Sequence, residues 1–355
     1  MRALVKTAKG DGNIEVRDIP VPKIKNDDDV LIRISASGVC GTDIHIYHDE
    51  FPYWPPVVLG HEFSGVVVET GGAVAGFKPG DRIVAEPHTR FCGKCGLCRA
   101  GYIQLCAEKR SPGWGMDGAF TDYLVMPELF LHHIPDSLDD EVAALTEPAA
   151  IVVNGVAERG RVSAGETVAV VGAGPIALLS VVVARAAGAA KVFVLGTDAD
   201  EAMRFPAAGA LGADEIINVT KTDGAARIRE ATGGIGADLV VEASGSAAGV
   251  NSAVGSVRKC GRITVLGLPG AEKIPVLWGE MVKKVLDLSF CFSSSVSSWE
   301  KAISVLSSSP HDLGVLVSHR SDIGDWKSVF DDIEAGNAIK ALFVPQGNNT
   351  PSGRV

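Results

Sequence analysis

The hydrophobic and polar positions of this chain follow two different patterns, which change near Ser163. Before that point the apolar runs are short and lie beside glycine or proline, as in Val30–Ser35, Ser64–Glu69 and Arg82–Glu86. Such runs predict short strands in an irregular β-rich lobe. After Ser163, short apolar runs alternate with alanine-rich stretches such as Ile176–Ala187. That alternation predicts parallel strands joined by helices, so we expect two domains.

The second pattern predicts a doubly wound parallel sheet, the α/β arrangement in which a helix follows each strand. Its candidate strands are apolar runs of four or five residues: Val168–Val171, Val192–Leu195, Glu215–Val219, Leu239–Glu242 and Ile263–Leu266. The length of 355 residues suits two domains, because single hydrophobic cores stop growing at roughly 250 to 300 residues.

The pattern changes again after about Lys284. Trp299–Ser307 is predicted to be helical, Trp326–Ala335 is amphipathic, and Ala338–Val344 is extended. These residues are too few for a third domain, so we expect them to return to the first lobe. The predicted boundaries are residues 1–155, completed by about 286–355, for the β-rich domain and 156–285 for the parallel-sheet domain.

Composition narrows the possible functions. The hydrophobic fraction of 46% and the 41 glycines are typical of a globular α/β protein. A formal net charge of -10 without any Lys/Arg block argues against nucleic-acid binding, because phosphates require a basic surface. The start of the sequence lacks the pattern of a secretory signal. The longest apolar run, around Ala177–Ala190, contains Arg185, so we expect no membrane span and a cytoplasmic location.

Seven cysteines in a reducing compartment are better explained as metal ligands than as disulfides. Four of them lie in the run CGKCGLCRAGYIQLC: Cys92, Cys95, Cys98 and Cys106. Four thiolates can close a tetrahedral structural zinc site, and an iron–sulfur cluster is the alternative. Since the site has no open position, its expected role is to fold a loop. Cys260 and Cys291 lie outside any ligand set and are expected to be buried apolar side chains.

A second ligand set lies upstream of the cysteine run. Cys40 occurs in GVCGTDIHIY, and His61 and Glu62 occur in PPVVLGHEFSGVVVE. A thiolate, an imidazole and a carboxylate form a mixed set that leaves room for water or substrate, as a catalytic zinc requires. Glu62 has an alternative role, which is to orient a ligand without binding the metal itself.

A glycine turn follows the first strand of the second domain. The segment VAVVGAGPIALLS places Gly172 and Gly174 after a buried strand, with Pro175 and Ile176 at the start of a helix. The glycines let the backbone approach a pyrophosphate, whose charge is favourable at a helix N-terminus. Ala177 stands at the third glycine position, where a small residue suffices for packing. Zinc together with a dinucleotide indicates hydride transfer.

The motifs together resemble a known family. GVCGTDIHIY, GHEFSGVVVETG, the cysteine run, GWGMDGAFTDY, LTEPAA and VAVVGAGPI are similar to the zinc-dependent medium-chain dehydrogenases. The sorbitol (L-iditol) and L-threonine 3-dehydrogenase branch is the most similar part of that family. The resemblance extends to roughly Gly267. It implies a GroES-like β-rich catalytic domain, a Rossmann coenzyme domain with a doubly wound parallel sheet, and a homo-oligomer, either dimer or homotetramer.

The resemblance also implies roles for individual residues. The catalytic zinc ligands correspond to Cys40, His61, Glu62 and Glu147. Glu147 is implied as a direct or water-bridged ligand, at a position where alcohol dehydrogenases use a second cysteine, and its alternative is to orient Cys40 or His61. Thr42 corresponds to a hydroxyl that relays the proton, and His45 to a histidine near the substrate. A turn-capping hydroxyl and a packed surface histidine are the alternatives for these two residues.

Coenzyme choice depends on the end of the second predicted strand, where relatives often carry an Asp that binds the ribose diol. The segment VFVLGTDADEAMR has Gly196 at that place, followed by Asp198 and Asp200, and Arg204 is distant. These residues favour NAD over NADP, with Asp198 as the ribose partner. The alternative for Asp198 is a helix N-cap, a role that Asp200 could equally have.

Two further segments resemble the walls of a nicotinamide pocket. They are DLVVEASG and RITVLGLPG, and the second contains Leu266 and Leu268. Before that strand the chain has Cys260 and Gly261, where relatives usually show two glycines. This departure is expected to leave the fold intact and to alter the turn.

These observations predict an NAD(P)-linked enzyme with two zinc ions per subunit, one catalytic and one structural. The expected reaction is oxidation of a secondary alcohol of a polyol or sugar alcohol to a ketone by hydride transfer. L-Threonine 3-dehydrogenase, or another amino-alcohol dehydrogenase, is the first alternative, supported by CGTDIHIY and GMDGAF. The alternative from another class is a catalytically silent zinc protein with a structural role.

Overall fold

The computed structural model describes residues 1–270 and 273–345, and the chain divides into two compact units. The first unit comprises Met1–Glu147 and the described residues 317–345, and the second lies within Pro148–Leu316. Each unit has its own sheet and its own hydrophobic core. Residues 346–355, which were expected to end the first domain, lie outside the described residues.

The strands are β1 (Arg2–Lys6), β2 (Ile14–Asp18), β3 (Asp29–Gly38), β4 (Val57–Val58), β5 (Glu62–Thr70), β6 (Arg82–Ala85), β7 (Tyr123–Pro127), β8 (Leu131–His133), β9 (Thr167–Val171), β10 (Lys191–Gly196), β11 (Glu215–Asn218), β12 (Ala237–Glu242), β13 (Val257–Val265), β14 (Asp287–Phe290), β15 (Val317–Ser321) and β16 (Lys340–Phe343). The helices are α1 (Gly41–Tyr47), α2 (Gly96–Arg99), α3 (Asp140–Ala143), α4 (Thr146–Val152), α5 (Pro175–Ala186), α6 (Arg204–Ala210), α7 (Gly224–Ala231), α8 (Ala247–Ser256), α9 (Trp278–Lys284), α10 (Val296–Ser308) and α11 (Trp326–Glu334). None of these helices combines the length and the apolar character needed to cross a membrane.

The first unit is built mainly from antiparallel strands. Among the described residues, β15, β16, β3, β5, β6 and β8 lie side by side in that order, β7 pairs with β3, and a smaller sheet has the order β2-β1-β4. The core of the larger sheet contains Ile32, Phe63, Ile83 and Met126. The short apolar runs before Ser163 thus form the β-rich lobe that their pattern predicted, which confirms this part of the fold class.

The second unit contains a parallel sheet whose described strands have the order β11-β10-β9-β12-β13-β14. The five predicted strands are β9 to β13, so the doubly wound α/β prediction is confirmed. The direction of the strand order reverses at β9, whose neighbours are β10 and β12. Open α/β sheets bind ligands beyond the carboxyl ends of their strands at such a reversal.

The sequence predicted that the second unit ends at residue 285, but in the structure the chain stays in this unit until Leu316. β14 pairs with β13 in parallel register from Arg262–Asp287 to Val265–Phe290. The following helix, α10, contacts α5 within the same unit. The return to the first unit begins at Val317, and β16 then pairs with β3. Pairing of a half-exposed strand therefore extends the parallel-sheet unit beyond its predicted end.

The two cysteines outside the ligand sets do not both lie in apolar surroundings. Cys260 is exposed and Cys291 is half-buried. The prediction of a buried side chain is therefore wrong for Cys260. Cys260 adopts a left-handed backbone conformation with φ of +52° within β13, where the pairing of this strand with β12 shifts register, and the residue is exposed there.

Candidate metal centre and coenzyme site

Three side chains that can bind a metal converge in the first unit. One ligand atom each from Cys40, His61 and Glu62 lies within 4.8 Å of the other two. His61 and Glu62 are buried, and Cys40 is half-buried. A sulfur, an imidazole nitrogen and a carboxylate oxygen thus face one another away from bulk water. This donor set is one that zinc binds readily.

The carboxylate of Asp43 fixes the geometry of this cluster. It is fully buried and accepts hydrogen bonds from the backbone N–H of Cys40 at 2.9 Å and of Gly60 at 3.3 Å. Cys40 is the N-cap of α1, so Asp43 completes a capping box at the start of that helix. The same carboxylate lies 3.8 Å from Nδ1 of His61. One buried side chain therefore holds α1 against the segment that carries His61.

Glu62 is anchored by a residue from the far end of the chain. Buried Lys340, on β16, donates to Oε1 of Glu62 at 2.7 Å and to the carbonyl of Val39 at 3.0 Å. Gly38 lies opposite Glu62 in the sheet, and a Cβ at Gly38 would collide with the Glu62 carboxylate. Sequence reasoning missed Lys340, whose one signal was a lysine within the apolar run 338–344.

Acidic groups surround this cluster. Burial raises the pKa of Glu147 to about 7 and also raises the pKa of Asp43. Burial alone would lower the pKa of His61, but Cys40 and Asp43 raise it to about 10. Glu147 acts electrostatically on His61 and Glu62, although it is not part of the group of atoms within 4.8 Å. A divalent cation would relieve the repulsion among these acidic groups, so the residues present fit a zinc ion.

The two residues predicted to move the proton lie on α1. Thr42 is half-buried, with its Oγ1 at 3.7 Å from the sulfur of Cys40. His45 is exposed, and its Nδ1 lies 2.9 Å from Oε2 of Glu50. The structure thus brings Thr42 to the mixed cluster, which is the group of Cys40, His61 and Glu62. It pairs His45 with a surface carboxylate.

The four clustered cysteines also converge. The sulfurs of Cys92, Cys95, Cys98 and Cys106 all lie within 4.8 Å of one another. The sulfurs of Cys92 and Cys98 are 3.9 Å apart, close to the edge of about 3.8 Å in a tetrahedron with zinc–sulfur distances of about 2.3 Å. Backbone N–H groups of three of these cysteines donate to sulfurs of the group. The geometry fits a closed tetrathiolate site.

The ring of Trp114 contacts the mixed cluster and also lies near a lysine. The ring of Trp114 meets His61 edge to face with centroids 5.1 Å apart, and it meets Phe51 in the same way at 5.5 Å. Nζ of Lys109 lies 5.6 Å from the centroid of the same tryptophan ring. Burial lowers the pKa of Lys109 to about 8, against the opposing effect of Glu147. The sequence reasoning gave Lys109 no role.

A cavity of about 680 Å³ lies in the second unit, beyond the carboxyl ends of β9, β10 and β12. Gly172 and Gly174 line it, and Gly172 has φ of +109°, a conformation that favours glycine. α5 begins at Pro175 directly after Gly174. The first N–H groups of a helix have no intrahelical partner, so this end of the cavity suits a phosphate. The glycine turn and the cavity together fit a dinucleotide.

The end of β10 forms another wall of this cavity. Gly196, Thr197, Asp200 and Arg204 line it. Asp200 accepts hydrogen bonds from the backbone N–H of Thr197 and from Nη1 of Arg204, both at 2.9 Å. A Cβ at Gly196 would lie 2.9 Å from Oδ2 of Asp200. Cε1 of Phe205 would be closer still, at 2.5 Å, so the Phe205 ring and the Asp200 carboxylate together occupy the space that a side chain at Gly196 would enter.

The remaining predicted coenzyme residues lie at varied positions. Asp198 is not among the described residues that line the cavity, and its Oδ1 accepts a hydrogen bond from Asn218 at 2.7 Å and lies 3.4 Å from Nζ of Lys221. The half-buried residues are Pro175 and Ile176, in the first turn of α5, and Leu266, directly after β13. Leu268 is 72% exposed.

Comparison with known proteins gives matches in both units. The alcohol dehydrogenase GroES-like domain matches residues 26–136, and the zinc-binding dehydrogenase domain matches residues 175–308. A sorbitol dehydrogenase from Halalkalibacterium halodurans is 36% identical over 97% of this chain and 99% of its own length. An L-threonine 3-dehydrogenase from Anaeromyxobacter dehalogenans is 35% identical over 97% and 98% of the two chains. The crystal structure of a zinc-binding dehydrogenase from Sinorhizobium meliloti 1021, bound to NADP, has a TM-score of 0.89 and 32% identity over 97% of this chain and 99% of that one.

Proposed function

This chain belongs to the family of zinc-binding dehydrogenases with a GroES-like domain, and from that membership we propose its reaction. It oxidises a secondary alcohol of a polyol to a ketone and transfers the hydride to a nicotinamide dinucleotide. The observation that carries the proposal is the buried convergence of Cys40, His61 and Glu62. The sorbitol dehydrogenase among the relatives supports a polyol as the substrate class.

Cys40, His61 and a carboxylate would hold the catalytic zinc ion. When bound, such an ion acts as a Lewis acid that polarises the alcohol oxygen and lowers its pKa. Glu62 already has the ammonium of Lys340 as its counter-ion, which suits it to orient the cluster. Glu147 has no ion-pair partner within 4.0 Å in the described part of the chain, which suits it to bind the ion directly or through water.

Thr42 and His45 are proposed to carry the proton away from the substrate alcohol. They are three residues apart on α1 and therefore lie on the same side of the helix. The Thr42 hydroxyl is next to the sulfur of Cys40, so it can accept a hydrogen bond from an alcohol at the centre. His45 is exposed, so its imidazole is in contact with water and can pass the proton to it.

We propose NAD as the coenzyme, with Asp200 in the role that the sequence suggested for Asp198. Asp200 lines the cavity at the end of β10, where an acidic side chain can accept hydrogen bonds from the ribose diol. The same carboxylate would repel the 2′-phosphate of NADP, and its ion pair with Arg204 makes that guanidinium less available to such a phosphate. The NADP bound to the Sinorhizobium meliloti relative favours the other coenzyme.

The tetrathiolate group is proposed to hold a second, structural zinc ion. Its four sulfurs lie within 4.8 Å of one another, and the 3.9 Å between those of Cys92 and Cys98 suits tetrahedral coordination. No carboxylate or imidazole belongs to this group in the described residues, so it offers no acid or base for chemistry. Its effect is to fix the loop from Cys92 to Cys106.

L-Threonine is the alternative substrate, because the L-threonine 3-dehydrogenase from Anaeromyxobacter dehalogenans is nearly as similar to this chain as the sorbitol dehydrogenase is. A homo-oligomer is proposed from a strip of exposed apolar side chains around α9 and β14. A cytoplasmic location is supported by the cysteines, all free, of which five of seven lie in the two ligand groups.

The test compares the wild-type protein with Cys40→Ser, and with Cys260→Ser as a matched control outside both ligand groups. Reduced-nicotinamide absorbance is followed with polyols, sugar acids and L-threonine, each with NAD and with NADP, and zinc is measured by elemental analysis. Cys40→Ser should lose one zinc ion and its turnover, whereas Cys260→Ser should keep both. Active protein that contains no zinc would refute the proposal, and a zinc-loaded wild type inactive with every substrate and both coenzymes would support the silent zinc protein.

A further inference from the structure

Lys109 differs from the other buried lysines of this chain. Lys6 donates to the carbonyls of Gly10, Gly12 and Tyr47, with Nζ–O distances of 2.6, 2.5 and 3.1 Å. Lys340 donates to Glu62 and Val39, and Lys284 donates to the carbonyls of Val254, Gly255 and Val257. Lys109 is half-buried, yet its Nζ has no hydrogen-bond or ion-pair partner within residues 1–270 and 273–345. Its one described contact through Nζ is the ring of Trp114.

The position of Lys109 is set by the same loop that packs against the metal centre. Trp114 contacts His61 with one part of its ring while the Lys109 ammonium lies 5.6 Å from its centroid. Gly118, at the end of this loop, packs so closely on the carbonyl of Gly60 that a Cβ there would collide with it. Gly60 directly precedes His61. The loop that carries Lys109 and Trp114 is therefore held against the segment that carries His61.

A desolvated ammonium without a counter-ion is unfavourable. Burying a charge costs free energy unless the charge is paired or hydrogen-bonded, and a cation–π contact offsets only part of that cost. Glu147 acts on Lys109 through its charge, but the two make no ion pair within 4.0 Å in the described residues. An anionic ligand that reaches the metal centre would give the ammonium the partner that the chain itself does not supply.

We propose that Lys109 binds an anionic group of the substrate, so that the substrate is a secondary alcohol that also carries a carboxylate or a phosphate. The inference rests on the proposed function and narrows its substrate class. The hydroxyl group that is oxidised lies at the mixed cluster, and the anionic group lies at the Lys109 ammonium, next to Trp114. Polyol phosphates, sugar acids and L-threonine share this chemistry, whereas free sorbitol lacks it.

The experiment uses pairs of substrates that differ in the anionic group: a polyol and its phosphate, a polyol and the corresponding sugar acid, and L-threonine and its amide. The holoenzyme is compared with Lys109→Met, which keeps the length of the side chain, and with Lys109→Arg, which keeps its charge. Lys78→Met serves as a control, because Lys78 is a highly exposed lysine of the same unit. Both kcat/KM and the dissociation constant from calorimetry are measured.

The wild-type protein should prefer the anionic member of at least one pair. Lys109→Met should reduce kcat/KM for that member by ~10- to 100-fold more than for the neutral member, the range expected for a hydrogen bond to a charged group. Lys109→Arg should recover part of the preference, and Lys78→Met should not change it. The pair with the largest preference identifies the anion as phosphate or carboxylate.

Two results would overturn the assignment of Lys109. One is a wild-type enzyme with equal kcat/KM for the neutral and anionic members of every pair. The other is a Lys109→Met variant in which kcat/KM falls by the same factor for both members. Calorimetry separates this failure from failure of the proposed function. If anions bind in a Lys109-dependent way but no substrate is turned over, the dehydrogenase proposal is refuted and the anion site is supported. If neutral polyols are turned over but no anion binds, the anion site is refuted and the dehydrogenase proposal is supported.

Discussion

His48 lies between two carboxylates on the surface of the first unit. Its Nδ1 is 2.9 Å from Oδ1 of Asp11, and its Nε2 is 2.5 Å from Oε1 of Glu334. An imidazole can donate to both carboxylates only when both of its nitrogens carry a proton. The hydrogen bond with Glu334 has the largest effect and raises the pKa of His48; burial opposes it by a smaller amount, and the hydrogen bond with Asp11 adds to the rise.

This contact should make the contribution of His48 to stability dependent on pH. Because the folded pKa is raised, the stabilisation is fully present below the unfolded pKa of about 6.5 and is lost as the pH rises through the folded value. His48→Gln should therefore be less stable than the wild type in mildly acidic buffer, by at most about 1 kcal/mol for so exposed a group. The two should become equal in alkaline buffer. Apparent melting temperatures over a pH series measure this, and a difference that does not vary with pH would contradict it.

The residues of the candidate site differ in how far the sequence could identify them. Cys40, His61 and Glu62 stand in short motifs, so residue type and spacing indicated their chemistry. Lys340 and Lys109 carry no motif, because their importance arises from where the fold places an ammonium relative to Glu62 and Trp114. Such contacts join positions that are distant in the chain and cannot be obtained from local pattern.

At the scale of elements, β13 contains one residue in an unfavourable backbone conformation, Cys260. Cys260 has φ of +52°. This left-handed conformation is unfavourable for residues other than glycine, because their Cβ comes too close to the backbone. Its side chain is exposed and therefore gains little from packing. At this position the backbone conformation therefore affects the free energy of unfolding more than side-chain packing does.

Cys260→Gly should raise the free energy of unfolding by about 1 kcal/mol, because glycine adopts positive φ without strain. In a unit of this size that corresponds to a rise of about 2 to 4 °C in melting temperature. Cys260→Ser removes the thiol but keeps the Cβ, so it should give no comparable gain. Calorimetric scans of the three proteins under reducing conditions measure this. Equal stabilisation by both variants would show that the thiol, and not the backbone, is responsible.

The elements were predictable where their pattern is strong. β9 to β13 and α5 combine continuous apolar strands with a glycine turn, and the structure has them at the predicted places. β14 was missed because Asp287–Phe290 alternates weakly and is only half-buried, as expected for an edge strand. Its pairing with β13 comes from the geometry of the sheet, which single-sequence periodicity does not contain.

At the scale of the whole molecule, the second unit exposes a strip of apolar side chains around α9 and β14. These residues are Val276, Leu277, Trp278, Val282, Val285, Phe290, Phe292 and Val296, each at least 38% exposed. β14 is also the last strand of its sheet in the described residues, so one of its backbone edges is unpaired. Large apolar patches and open strand edges are typical of protein interfaces. A second copy of the chain, paired at this edge, would cover both features.

Phe290→Asp should therefore lower the oligomeric mass of the protein in solution. A charge at the centre of an apolar contact would have to be desolvated without a partner, which destabilises the association. Leu129→Asp is a matched control, because Leu129 is an exposed apolar side chain of the first unit, outside the strip. Analytical ultracentrifugation of the wild type and both variants measures the mass. A monomeric wild type, or a Phe290→Asp variant of unchanged mass, would contradict the proposed oligomer.

The contact between Glu62 and Lys340 has a consequence for biosynthesis. Lys340 is added 278 residues after Glu62, an interval of roughly 14 to 56 s at ribosomal rates of about 5 to 20 residues per second. During this time Pro148–Leu316 can emerge and fold as a complete unit, while β3 still waits for β16. The nascent polypeptide is therefore expected to form the cavity of the second unit before Glu62 gains its counter-ion, and a message truncated ahead of Lys340 would yield a protein that has this cavity but lacks the Glu62–Lys340 contact.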